Sequence, residues 1–245
     1  MADQLPVLLF TALNLGFVHT LAGPDHYLPF VAISKAKKWS MFKTAWVTFL
    51  CAIGHILSSV ILGYAGIFMG INVTKLVNIE SYRGDLAAWF LIAFGLVYFV
   101  WGLRKAWKNK PHRHFHFHPE NEQLHTHNHT HHYEHLHVHE SKRKSVTPWV
   151  MFIIFVFGPC EPLIPILMYP AAKGNMAAVA VVAVVFGSVT IVTMICAVLA
   201  LSFGLLNIPA GKIKFLRLDL LEKYSHAVAG LTIFVCGGLI KFAGL

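Results

Sequence analysis

The sequence predicts an all-α integral membrane protein of six transmembrane helices, arranged as two inverted three-helix repeats with broken first helices. Three observations carry that prediction. The 245 residues are 56% hydrophobic and 13% charged, with a mean hydropathy of +0.61, a balance that lies outside ordinary soluble domains. Six apolar stretches, near 5–34, 44–70, 86–107, 147–172, 175–206 and 225–244, each approach or exceed the ~20 residues a helix needs to cross a bilayer. The first and the fourth also share a Gly-Pro step followed by polar side chains and a further Pro: Gly23-Pro24-Asp25-His26 before Pro29, and Gly158-Pro159-Cys160-Glu161 before Pro162 and Pro165.

The first stretch holds His19, Asp25 and His26 between apolar runs on both sides. Ionisable groups at that depth cost several kcal/mol unless paired or solvated, so they mark a functional site. Pro removes a backbone donor and Gly lets the chain turn, so Gly23-Pro24 should interrupt the helix there. Such interruptions survive at membrane depth where they line an enclosed or watery cavity. The N-terminus, Met1-Ala-Asp-Gln-Leu5, has no basic segment, so the stretch reads as a retained helix, not a cleaved signal. In the second stretch Cys51 and His55 are four apart and share a helix face, with Ser58 and Ser59 one turn on. Lys75, Glu80, Arg83 and Asp85 fall before the third stretch and read as its preceding loop.

Residues 108–146 form the long hydrophilic loop that separates a first repeat (1–107) from a second (147–245). Twelve of the sixteen His lie in it: His112, His114, His116, His118, His125, His127, His129, His131, His132, His135, His137 and His139. Imidazole is the commonest protein ligand for first-row transition metals, which makes these accessory metal positions, a collector or sensor in a tract not expected to fold without metal.

The second repeat echoes the first. Gly187-Ser188 with Thr190 and Thr193 answers Gly54-His55 with Ser58 and Ser59, and Glu222-Lys-Tyr224 with Gly237 answers Glu80-Ser-Tyr82 with Gly95. An odd number of crossings per repeat inserts the two in opposite directions. All four Cys (Cys51, Cys160, Cys196, Cys236) fall in apolar stretches, which argues against a disulfide framework; Cys160 alone sits in a break. His226 opens the last stretch, where a solvated or packing role is expected.

Lys and Arg concentrate after the first, third and fifth stretches, which assigns those loops to the cytoplasm and both termini to the opposite side. That placement accounts for the net charge of +9 without nucleic acid as a partner. The implied location is an inner membrane of bacterial type.

Two resemblances rest on these residues. His19-x5-Asp25-His26 in a broken first helix, Gly54-His55 in the second and a His-rich loop between two halves resemble the nickel/cobalt transporter superfamily, in particular its efflux and urease-accessory-type membrane proteins. Permeases of that group place four residues before the Asp-His pair, where this chain has five. Gly158-Pro-Cys160-Glu161-Pro-Leu-Ile-Pro165 is similar, more distantly, to the Pro-flanked Cys of cytochrome c biogenesis thiol-disulfide conduits.

Taken together, His19, Asp25, His26, His55, Cys160 and Glu161 form a mixed nitrogen, oxygen and sulfur set. It suits Ni2+ or Co2+, with Zn2+ as a third candidate, and fits Mg2+ and Ca2+ poorly. The expectation is a secondary transporter of such an ion, direction open with efflux favoured, with no catalysis, no permanent cofactor and no ATP-binding motif. The partners expected are the ion, the bilayer, and a soluble metallochaperone or a second copy of the chain. The alternatives are a metal-delivering accessory membrane protein and a thiol-disulfide electron conduit.

Overall fold

A computed structural model describes residues 4–108, 112–118, 123–129, 146–206 and 223–243. The first apolar stretch forms α1 (Leu5–Ala22), a short 3-10 turn (Pro24–His26) and α2 (Leu28–Ala36). Then come α3 (Met41–Phe68) and α4 (Val73–Lys108), α5 (Thr147–Phe157) and α6 (Leu163–Ala172), α7 (Met176–Leu206) and α8 (Ser225–Ala243). Five of these, α1, α3, α4, α7 and α8, are long and apolar enough to span a membrane, and the chain is an integral membrane protein. The fourth expected crossing is two helices of 11 and 10 residues separated at Gly158–Pro162, each too short to cross alone.

The third helix departs from expectation, starting at Val73 and not near residue 86. Asn72 accounts for the start, its Oδ1 accepting from the N–H of Thr74 at 2.9 Å and so satisfying a first-turn donor. Just before it, Gly70 takes φ +64°, the left-handed conformation that Gly adopts without a Cβ penalty when a helix ends. Buried positions then recur every three or four residues, Leu76, Glu80, Gly84, Ala87, Ala88 and Leu91. The charged residues read as a loop are thus turns of a helix whose inner face carries Glu80.

Close approach organises α4 against α8. A Cβ on Gly95 would stand 2.3 Å from Phe234 N, on Gly102 2.4 Å from Ala227 N, and on Gly230 2.3 Å from Phe99 N. Small residues let helices meet backbone to backbone where lipid supplies no hydrophobic drive. Elsewhere α1 packs on α7, and α3 on α5, α6 and α7. One apolar cluster gathers Phe30, Ile33, Met151, Phe155, Met194 and Ile233; another gathers Cys160, Leu163, Leu167, Val179 and Phe186.

Within the long loop, His112–His118 and Gln123–His129 pair as an antiparallel two-stranded ribbon, His114 opposite His127 and His116 opposite His125. The expectation of an unfolded tract is corrected for these segments, where His alternating with other residues matches the two-residue period of a strand. His131, His132, His135, His137 and His139 lie outside the described residues.

Candidate functional site: three histidines between two broken helices

The first break places its side chains through local backbone bonds. α1 closes when the N–H of Gly23 donates to His19 O at 3.1 Å, and the turn closes when the N–H of His26 donates to Gly23 O at 3.1 Å. The turn folds His26 back over Gly23, where an added Cβ would lie 2.5 Å from His26 Nδ1; a side chain there would displace the ring. His26 Nδ1 lies 3.1 Å from Gly23 O and 3.2 Å from Asp25 Oδ1. A carbonyl and a carboxylate only accept, so Nδ1 carries the hydrogen and donates, which leaves the lone pair on Nε2.

His19, His26 and His55 come together. The His19 and His26 rings meet edge to face at 4.8 Å between centroids, and His26 and His55 at 5.2 Å. One nitrogen from each of the three lies within 4.8 Å of the others. His55 also reaches the second break, since a Cβ on Gly158 would stand 2.9 Å from its Nδ1. One α3 side chain thus bridges both interruptions.

The orphaned atoms are the informative ones. His19 Nε2 and His26 Nε2 are buried without a hydrogen-bond partner, and His55, also buried, has no side-chain partner and only the backbone of Phe155 beside it. An atom of this kind left unpaired costs about 1–3 kcal/mol, more than the ~0.5–1.5 kcal/mol that an edge-to-face ring contact returns. Chemically, the group offers three imidazole rings to a shared electrophile, and imidazole suits Zn, Cu, Fe and Ni. At zinc–nitrogen distances of 2.0–2.1 Å, tetrahedral ligand nitrogens stand about 3.4 Å apart. With the ligand atoms within 4.8 Å of one another, the widest pair has up to about 1.4 Å to close.

Of the other expected ligands, Asp25 touches this group and Cys160 and Glu161 are not part of it. Asp25 accepts from His26 Nδ1 and so fixes the tautomer and direction of that ring. Cys160 is fully buried in the apolar cluster around Leu163 and Leu167. Glu161 is exposed and lines the cavity that His19, Asp25, His26 and His55 also line. That cavity, of ≈ 630 Å3, runs past Gly84, Leu91 and Gly158. Asp85 and Lys241, which also line it, pair at 2.7 Å. His226 packs: its ring sits 2.9 Å from Tyr98 Oη, and Lys105 Nζ donates to its Nε2 at 3.0 Å.

Sequence reasoning missed Glu80 and Arg83. Glu80 is fully buried; Arg83 Nη1 donates to its Oε1 at 2.7 Å, and the N–H of Cys160 donates to its Oε2 at 3.3 Å. Removing one partner of a buried pair costs about 3–5 kcal/mol. The signal was available in the Glu-Arg spacing of three, which puts both on one helix face.

A family model described as the cytochrome C biogenesis protein transmembrane region matches residues 28–239. No curated protein and no solved structure matches the chain. The resemblance to nickel/cobalt transporters, which rested on His19-x5-Asp25-His26, Gly54-His55 and the His-rich loop, is corrected by this match, which names a different family over residues 28–239. The distant similarity read from Gly158–Pro165 lies inside the match and points to the family that fits. Since the match spans most of the sequence, this chain belongs to the cytochrome C biogenesis transmembrane region family.

Proposed function

We propose that this family member carries a first-row transition-metal ion, Ni2+, Co2+ or Zn2+, across the membrane by way of His19, His26 and His55. The observation that carries the reading is the set of buried, unpartnered imidazole nitrogens facing one another at the junction of two broken helices. α5 and α6 together make the sixth crossing, and the halves insert in opposite directions. The packing supports this: exchanging the halves maps the α1–α7 contact onto the contact between α3 and the α5–α6 pair, and α4–α8 onto itself. The ion loses its water at the imidazoles, with Asp25 offsetting charge, and passes as one half rocks against the other. The basic loops place the His tract on the cytoplasmic side, where it collects or delivers metal to a soluble partner. No permanent cofactor and no catalysis is invoked.

A thiol-disulfide conduit is the second reading, favoured by family membership and by Cys160 at the second break. A conduit alternates between dithiol and disulfide, which needs two sulfurs with Cα atoms no more than about 7 Å apart. All four cysteines are free, Cys51 and Cys160 belong to different apolar clusters, and the first break presents Asp25 and His26 in place of a second Cys. One reconstitution separates the readings. In proteoliposomes, His55→Ala should lower Ni2+ or Co2+ flux by roughly tenfold or more, while Cys160→Ser stays within about twofold of the parent. If ions do not cross and Cys160→Ser instead stops reducing equivalents passing from an enclosed dithiol to an external disulfide, the conduit reading replaces transport.

A further inference from the structure

The second break is held by a cation that belongs to the chain. Arg83 Nη1 donates to Glu80 Oε1 at 2.7 Å and to Ser59 Oγ at 3.3 Å. Its Nη2 donates to Ser58 Oγ at 2.6 Å, Val156 O at 2.8 Å and Gly158 O at 3.3 Å. These five oxygens come from three elements: α3, α4 and the C-terminal end of α5. The carbonyls of Val156 and Gly158 are end groups of an interrupted helix, which have no partner within the helix and carry its negative pole. One carboxylate, two hydroxyls and two such carbonyls make an all-oxygen set with a single negative charge. In membrane proteins, half-helix C-terminal ends and unwound carbonyls of this kind hold sodium, and oxygen-only ligation suits hard cations.

We propose that Glu80, Ser58, Ser59 and the carbonyls of Val156 and Gly158 form a monovalent-cation site that Arg83 fills from within the chain. One carboxylate against one guanidinium leaves the cradle neutral, so no sodium ion is needed to hold α5 against α3 and α4. The first break differs: among the described residues no cationic side chain fills it, and His19 Nε2 and His26 Nε2 stay unpartnered. The oxygens of this site are not atoms of the three-histidine group, although Gly158 borders both.

Thermal unfolding of the purified full-length protein in detergent tests this, at constant ionic strength in choline, sodium or millimolar guanidinium chloride. The wild type should melt at the same temperature in all three. Arg83→Ala should melt lower in choline and recover by about 5 °C or more in sodium or guanidinium, as expected for a ligand that binds only the folded state. Equal melting of Arg83→Ala in all three salts, whether high or low, overturns the proposal. Arg83→Lys and Arg83→Gln extend the test if the alanine variant cannot be purified. Both lose the guanidinium fork and only Lys keeps the charge, so Lys should melt well above Gln in choline; Lys melting at or below Gln would show that hydrogen bonding, and not a cation, is what the cradle requires.

Discussion

Asp25 shows how little of a side chain's role follows from its type. As an acid at membrane depth beside two His it reads as a ligand, yet it accepts from His26 Nδ1 and so acts through the ring. Asp25→Asn keeps an acceptor and the volume while removing the charge, so protein yield should hold and metal affinity should fall by roughly 10–100-fold, the usual cost of losing an outer-sphere partner. Competition against a chelator of known affinity measures this; an unstable variant whose folded fraction binds like the parent would make Asp25 structural. His19, His26 and His55 were legible because ionisable residues in apolar sequence are costly wherever they point. Glu80 and Arg83 were not, because four charged residues between 75 and 85 lower hydropathy just as a loop does. Only the recurrence of buried positions every three or four residues, back to Leu76, separates the two cases.

At the scale of the element, both helix breaks were readable from Gly-Pro, since the backbone chemistry is local. What they face was not, because a break says nothing of its neighbours. The glycines of α4 and α8 are intermediate: Gly95 and Gly237 were noticed as matching positions of a repeat, and the structure puts both in the contact between those helices. Gly95→Leu has to push α8 off α4, since the clash is with Phe234 backbone and not with a flexible chain end. It should cost at least the ~1–3 kcal/mol of overpacking and lower the melting temperature in detergent. Gly238→Ala, where nothing lies within 4 Å, should change stability by no more than about 0.5 kcal/mol. Comparable melting of the two variants would remove the α4–α8 contact from the account of the fold.

Across the whole molecule, composition was enough for a helical membrane protein, because crossing a bilayer constrains sequence more than any other environment does. The family was harder to read. His19 to His26, Gly54-His55 and the His-rich loop pulled toward metal transporters, whereas the family that matches residues 28–239 is the cytochrome C biogenesis one. The match shows the family, and of the three imidazoles only His55 lies within the matched residues. The loop histidines complicate any test, since a metal titration of the full chain includes those twelve imidazoles as well as the buried group. A difference between two proteins with the same loop removes them.

The most direct measurement is an equilibrium titration of Co2+ and Ni2+ into the purified full chain and into its His19→Ala/His26→Ala/His55→Ala variant, with Co2+ absorption reporting the ligand set. The parent should bind one more ion than the variant, with a cobalt spectrum of nitrogen ligation that the variant lacks. Identical stoichiometry, affinity and spectra in two equally folded proteins would contradict a metal site between the broken helices.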